Sequence, residues 1–248
     1  MKTSERHRLK ENELALAMGQ AQGWLGENRG MLTAMLAGII IVGGGVAGYM
    51  AWRSNVDGKA QTLLAEAMVI EEARVMPPAP PAGTTSEPNA LGGQLPGTFP
   101  TEKAKLEAAL PKFVAAADAY PTHDAGITAR YHAAGTLVAL GRFDEASKQY
   151  DQVMASGSSM IARMAKLGKA EAQIRAGQFD PALVTLKALA DQKDSGLPPD
   201  AVLMELARGY RLAGKVEDAR KTLNQIVEQH ADSPFATEAK AELERIKS

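Results

Sequence analysis

Four histidines, a glycine triplet and a serine-rich tetrapeptide are the residues here whose types are fit for chemistry, and their spacing withholds it. His7, His123, His132 and His230 form no His-x-x-x-His or His-Glu-x-x-His pair, the offset that turns two imidazoles toward one metal on a helix face. Gly43-Gly44-Gly45 lies in an apolar run with no Lys-Thr after it, so it lacks the cation and hydroxyl of a phosphate-cradling loop. Ser156-Gly157-Ser158-Ser159 is not a nucleophile elbow, and no Ser is followed three residues on by Lys. There is no Cys, hence no thiol nucleophile, thiolate ligand or disulfide. The carboxylates alternate with Lys and Arg in the manner of solvated helix faces. The inventory points away from an enzyme and implies neither cofactor nor metal.

The elements that carry these residues are announced by a repeat. Gly141-Arg142-Phe143-Asp144-Glu145-Ala146 returns as Gly177-Gln178-Phe179-Asp180-Pro181-Ala182 and again as Gly214-Lys215-Val216-Glu217-Asp218-Ala219, 36 and 37 residues apart. A period in this range means stacked units, none of which buries its apolar face alone. Before each Gly runs a stretch with helical spacing, such as Leu203, Leu206 and Tyr210; after it runs another, such as Phe143, Ala146, Tyr150 and Val153. Gly permits the left-handed turn that ends the first helix, and the acidic residues fall in the first turn of the second, where the helix dipole favours them. Each unit is predicted to be a helical hairpin and the fold all-α. Ala109, Phe113, Ala116 and Pro121 match the second half of a further, partial unit, and Ser233-Pro234 reads as the cap of a closing helix through Ile246.

No charge occurs between Arg29 and Arg53, and 31–51 is almost wholly apolar. About 20 such residues span a hydrocarbon core, so residues 30–52 are predicted to be a transmembrane helix, bracketed by Trp24 and by Tyr49 with Trp52. Its length exceeds the h-region of a cleaved signal. Lys2, Arg6, Arg8, Lys10 and Arg29 precede the span and only Arg53 and Lys59 follow closely, which places the N-terminus in the cytoplasm and the repeats across the membrane. Ala34 with Gly38, and Gly44 with Gly48, are small residues four apart, a spacing that lets membrane helices pair and would make a homo-oligomer.

The rest divides by composition. Residues 1–29 form a charged leader with one weakly apolar face, Leu14, Ala17, Met18, Ala21, Trp24 and Leu25. Residues 53–76 read as a juxtamembrane helix able to pair with 106–119 and complete the partial unit. Residues 77–100 hold seven of the thirteen prolines and are predicted to be a linker or insertion. Residues 101–248 are the repeat domain. From Ser54 onward 22 basic residues face 25 acidic ones, so there is no positive field for nucleic acid.

The six-residue motif, with Ala133-Ala134, Leu137 and Tyr150 in the first unit and Leu206-Ala207, Tyr210 and Leu223 in the third, resembles the tetratricopeptide repeat; Lys169 departs from it in the second. That resemblance implies an α-solenoid of about three hairpins plus a capping helix, whose first helices line a concave protein-binding groove. Carried over, the groove positions include Tyr131 and Val138, then Met164, Leu167, Glu171 and Arg175, then Met204, Arg208 and Arg211. The Lys and Asn clamp of members that bind chaperone tails is absent. The order of elements, with Trp52-Arg53, Val56-Asp57 and Ala60 after the span, resembles the YfgM-like family of ancillary subunits of the bacterial SecYEG translocon. This second resemblance implies a single-pass inner-membrane adaptor whose periplasmic repeats meet the translocon, chaperones or exported clients. The alternative is a structural subunit that uses its repeats as a fixed interface in a membrane complex.

Overall fold

The computed structural model describes residues 29–76, 96–156, 159–192 and 196–247; the leader and nearly all of the Pro/Gly-rich stretch lie outside the described residues. The chain divides into two compact units, Met1–Val56 and Asp57–Ser248.

Helix α1, Arg29–Glu71, begins in the first unit and ends in the second. Within the first unit it contains a stretch of mean hydropathy 2.0 with none of its residues buried, long and apolar enough by length and composition to cross a membrane. Ile39, Ile40, Ile41, Val42 and Met50 are all well exposed, as are Tyr49 and Trp52, whose rings lie 6.1 Å apart.

The second unit is a succession of helices. The end of α1 supplies Ala60 and Ala67, both buried, with Leu63, Leu64, Met68 and Ile70 partly so. Helix α2, Glu102–Ala119, carries Ala109, Phe113, Ala116 and Ala117 into the same cluster, so the juxtamembrane stretch pairs with it as the first half of a hairpin. The helix stops at Glu71 rather than Met76. Pro77 follows, and the residue before a proline is driven from helical to extended backbone. Strand β1, Arg74–Val75, pairs in parallel with β2, Thr98–Phe99, and Met76 N donates to the Phe99 carbonyl at 2.8 Å. This short ladder, unforeseen in an all-α reading, joins the two ends of the insertion. Two further ties hold the end of α1, from Asp57 onward, within the second unit: Asp57 Oδ1 lies 2.7 Å from His123 Nδ1, and Glu71 Oε2 lies 3.0 Å from His132 Nδ1.

Three hairpins follow: α3, Asp124–Ala139, with α4, Phe143–Ser156; α5, Ser159–Arg175, with α6, Phe179–Ala190; and α7, Pro199–Leu212, with α8, Val216–Gln229. Their turns are identical in chemistry. Gly141, Gly177 and Gly214 sit at φ 75°, 78° and 74°, where only glycine is unstrained. Each donates three residues back, to Val138, Ile174 and Arg211, while the next residue donates five back, to Leu137, Gln173 and Tyr210. That double bond is a Schellman close, and it explains why Gly recurs with this period. The Ala of each copy, 146, 182 and 219, has no exposed surface, which lets the paired helices approach.

Helix α9, Phe235–Lys247, closes the described array. Ser233 caps it: its Oγ accepts from Phe235 N at 2.9 Å and donates to Asp200 Oδ2 at 2.6 Å, holding the turn against α7. That bond keeps the Asp200 carboxyl below its usual range. Ala239 and Leu243 then cover Leu203, Met204, Ala207, Leu223 and Ile226. Since each cluster is shared only by neighbouring helices, Leu243→Ala is expected to cost about 2–5 kcal/mol and to loosen α7 and α8 first. Hydrogen exchange resolved by segment checks this, with α2 to α4 retaining full protection.

Candidate functional site

The first helices of the three hairpins, α3, α5 and α7, line up with the closing helix α9, and their side chains form a band of alternating charge. On α3, Tyr131 is half-buried and meets Tyr150 of α4 edge to face, centroids 5.8 Å apart. On α5, Arg175 donates to Glu171 at 2.8 Å. On α7, Arg208 donates to Glu205 at 2.9 Å and reaches Glu238 of α9 at 3.7 Å. Arg211 reaches Glu242 at 3.6 Å, and Arg245 binds the same carboxylate. The guanidiniums expected to hold a partner's carboxylate are therefore already engaged by this chain's own. An acidic ligand must displace them.

The electrostatics of the band follow from crowding. Burial pushes the Glu205 carboxyl up; Arg208 opposes this, Glu171 adds to it, Arg175 opposes and Glu238 adds. One of its oxygens, Oε2, is buried with no hydrogen-bond partner. Burial likewise raises the Tyr131 phenol, with Glu171 adding. Tyr150 is raised further, by burial first and then by Tyr131 and Glu171. For a phenol held neutral in the folded state, the stability it confers is fully present below the unfolded value of about 10 and is lost as pH rises beyond it. The melting temperature is expected to fall steeply above that pH, and Tyr150→Phe to flatten the fall; equal alkaline limbs for both proteins would show that Tyr150 is not the group responsible.

Not every groove position faces outward. Val138, expected as a contact, is a core residue at 8% exposure, since α3 packs this side against α4. Met204 is 4% exposed and lies in the floor of a cleft that opens between Arg208 and Arg211 and the facing carboxylates of α9. Leu167 is half-buried against the second and third hairpins, while Met164 is exposed. Lys169, the departure from the repeat, binds Asp151 of α4 at 2.6 Å. On α1, Ala34, Gly38, Gly44 and Gly48 are exposed and fall within an arc of about 120° at 3.6 residues per turn.

The cleft lies between α7 and α9, with α8 beneath. Met204, Ala207 and Leu223 floor it, Arg208, Arg211, Glu238 and Glu242 rim it, and its volume is ≈ 120 Å³. The rim carboxylates were missed in the sequence because α9 reads there as a solvent-facing cap. Glu238 and Glu242, four apart and so on one helical face, were the available signal.

Residues 201–233, from α7 through the turn after α8, match the tetratricopeptide repeat family. No curated protein matches the chain significantly. Among solved structures it is similar to the nearly identical TPR-like repeats of a Podosopora anserina chain described as a kinesin light chain. The identity is 23%, covering 57% of this chain and 77% of that one, with a TM-score of 0.48. A single-residue variant of those repeats gives the same identity and coverage and a TM-score of 0.49. The third hairpin thus carries a tetratricopeptide-type repeat within an array of helical hairpins, a kind of repeat that mediates protein–protein interaction in general.

Proposed function

We propose that this protein is a non-catalytic, membrane-anchored adaptor of the bacterial inner membrane, whose periplasmic repeats hold exported polypeptides or their chaperones beside the Sec translocon. The observation that carries the binding role is the band from Tyr131 to Glu242: aromatic, thioether and paired charged groups on successive first helices, with a cleft at one end. A surface of this composition makes adaptable contact and hydrogen bonds to main chain, and it holds no arranged nucleophile and base. Support for the anchor is the exposed apolar stretch of α1, and support for its direction is the excess of Lys and Arg before it. The translocon setting rests on the resemblance in order of elements and on the residues that follow the span.

A photo-crosslinker placed at Tyr131 or Arg208 in living cells tests the role. Capture of many newly exported chains is expected. A single stoichiometric partner that survives detergent extraction would make the repeats a fixed subunit interface instead. Protease added to intact spheroplasts tests the side: the repeat domain should be digested, and its protection would reverse the orientation.

A further inference from the structure

The cleft between α7 and α9 differs from the rest of the band in having an apolar floor. Met204, Ala207 and Leu223 are 4%, 2% and 3% exposed, so their surfaces are withdrawn from solvent except where the cleft opens. Its ≈ 120 Å³ is comparable to the apolar cavity of about 150 Å³ that takes a benzene ring, which is room for one leucine or methionine side chain. Above the floor the rim is electrically balanced, two guanidiniums against two carboxylates. A neutral rim favours neither a chain-terminal carboxylate nor a lysine. It suits a peptide main chain, which presents carbonyl oxygens to Arg and N–H groups to Glu in alternation.

The pairs that cross the opening are also its loosest. Arg208 to Glu238 and Arg211 to Glu242 stand at 3.7 and 3.6 Å, whereas Arg208 has a 2.9 Å bond to Glu205 on its own helix. Entry of a peptide strand between α7 and α9 therefore breaks no short bond across the cleft, and the rim groups keep capacity for main-chain partners.

We infer that this cleft is a specificity subsite that takes one leucine- or methionine-sized side chain from an internal, extended segment of the partner polypeptide. The assignment rests on the protein-binding reading above and narrows it to a chemical class: unfolded chain, apolar anchor, no terminal carboxylate.

The test uses the full chain in detergent micelles and fluorescein-labelled Gly/Ser peptides, blocked at both ends, with a single central Leu, Met, Ala, Lys or Asp. Leu and Met peptides are expected to bind about tenfold more tightly than the others, the yield of burying one such side chain. Ala207→Leu fills the cleft and should reduce the Leu peptide to the level of the Ala peptide. Because Ala207 is nearly buried and its replacement puts folding at risk, a second measurement leaves the protein unchanged. Methylating the backbone nitrogen of the central Leu should weaken binding about as much as Ala does, since it removes the N–H that the rim carboxylates accept. Binding of all peptides without preference, a preference for Lys or Asp, or a Leu preference that survives in folded Ala207→Leu would overturn the subsite and leave the groove reading standing. Failure of every peptide and of reduced, carboxymethylated α-lactalbumin to bind would remove the groove reading itself.

Discussion

Gly126→Ala is expected to destabilise the repeat unit by about 3 kcal/mol or more, lowering its melting temperature by about 10 °C for a domain of this size. Gly126 lies in the first turn of α3, where the chain has just left α2 through Tyr120, Pro121 and Thr122. A Cβ built on it would stand 1.8 Å from the Tyr120 carbonyl oxygen and 2.6 Å from its carbon. Both are backbone atoms, and no side-chain rotation relieves the clash. The carbonyl also accepts from His123 N at 3.2 Å, so moving it opens the turn that aims α3. Gly135, nine residues on in the same helix, is the control. Nothing lies within 4 Å of its Cβ position, and it is exposed. There Ala should stabilise by about 0.5–1 kcal/mol, because it relieves the helix of glycine's conformational freedom. The same substitution in one helix thus carries opposite signs, and thermal unfolding of the two variants decides. Equal shifts would mean that α2 and α3 do not approach as closely as they do here.

The contrast between those glycines also shows what a sequence discloses. The turn glycines at 141, 177 and 214 were legible because their task is local: a Schellman close is written within six residues and repeats with the unit. The first-turn acids and the buried Ala of each copy were legible for the same reason. Gly126 was not, since its task is set by a carbonyl on another helix. Arg130 was missed likewise. It is 7% exposed in the first core, where it donates to Asp118 at 2.8 Å, Gln149 at 2.9 Å and Gln152, joining α2, α3 and α4. In the sequence it is one more Arg in an amphipathic run, and only the packing identifies its three acceptors. The groove was half legible for a related reason. Helical spacing places Tyr131, Glu171 and Arg208 on first helices, but which guanidinium is already satisfied depends on how α9 meets α7, and Val138 and Met204 are withdrawn by contacts between helices. Residues 53–76, by contrast, read as a helix able to pair with 106–119, and Ala67 in the α2 cluster makes that pairing; the stop at Glu71 and the ladder after it were not legible, because they depend on Thr98 and Phe99 reaching Arg74 and Val75.

That hairpin is where the second large effect should appear. Phe113 has no exposed surface, and its ring stacks on His132 with centroids 5.2 Å apart at an interplanar angle of 15°. His132 Nδ1 in turn meets Glu71 Oε2, so one aromatic side chain fills the first core and orients the imidazole that ties the end of α1. Phe113→Ala should cost about 3–5 kcal/mol through the cavity alone, and it also frees the imidazole to leave Glu71. Phe113→Leu keeps most of the volume but not the flat face, so it separates the two contributions. The stability loss should shrink to about 1.5 kcal/mol or less, while exchange of amides in 57–71 stays faster than in the unchanged protein. Because each core is shared only with neighbouring helices, protection in α7, α8 and α9 should remain unaltered in both variants. Uniform loss of protection across the array would contradict this partition. It would mean that the end of α1 and the α7–α9 cleft unfold as one body, and a partner bound at the cleft would then stabilise the α1 tie as strongly as it stabilises its own site.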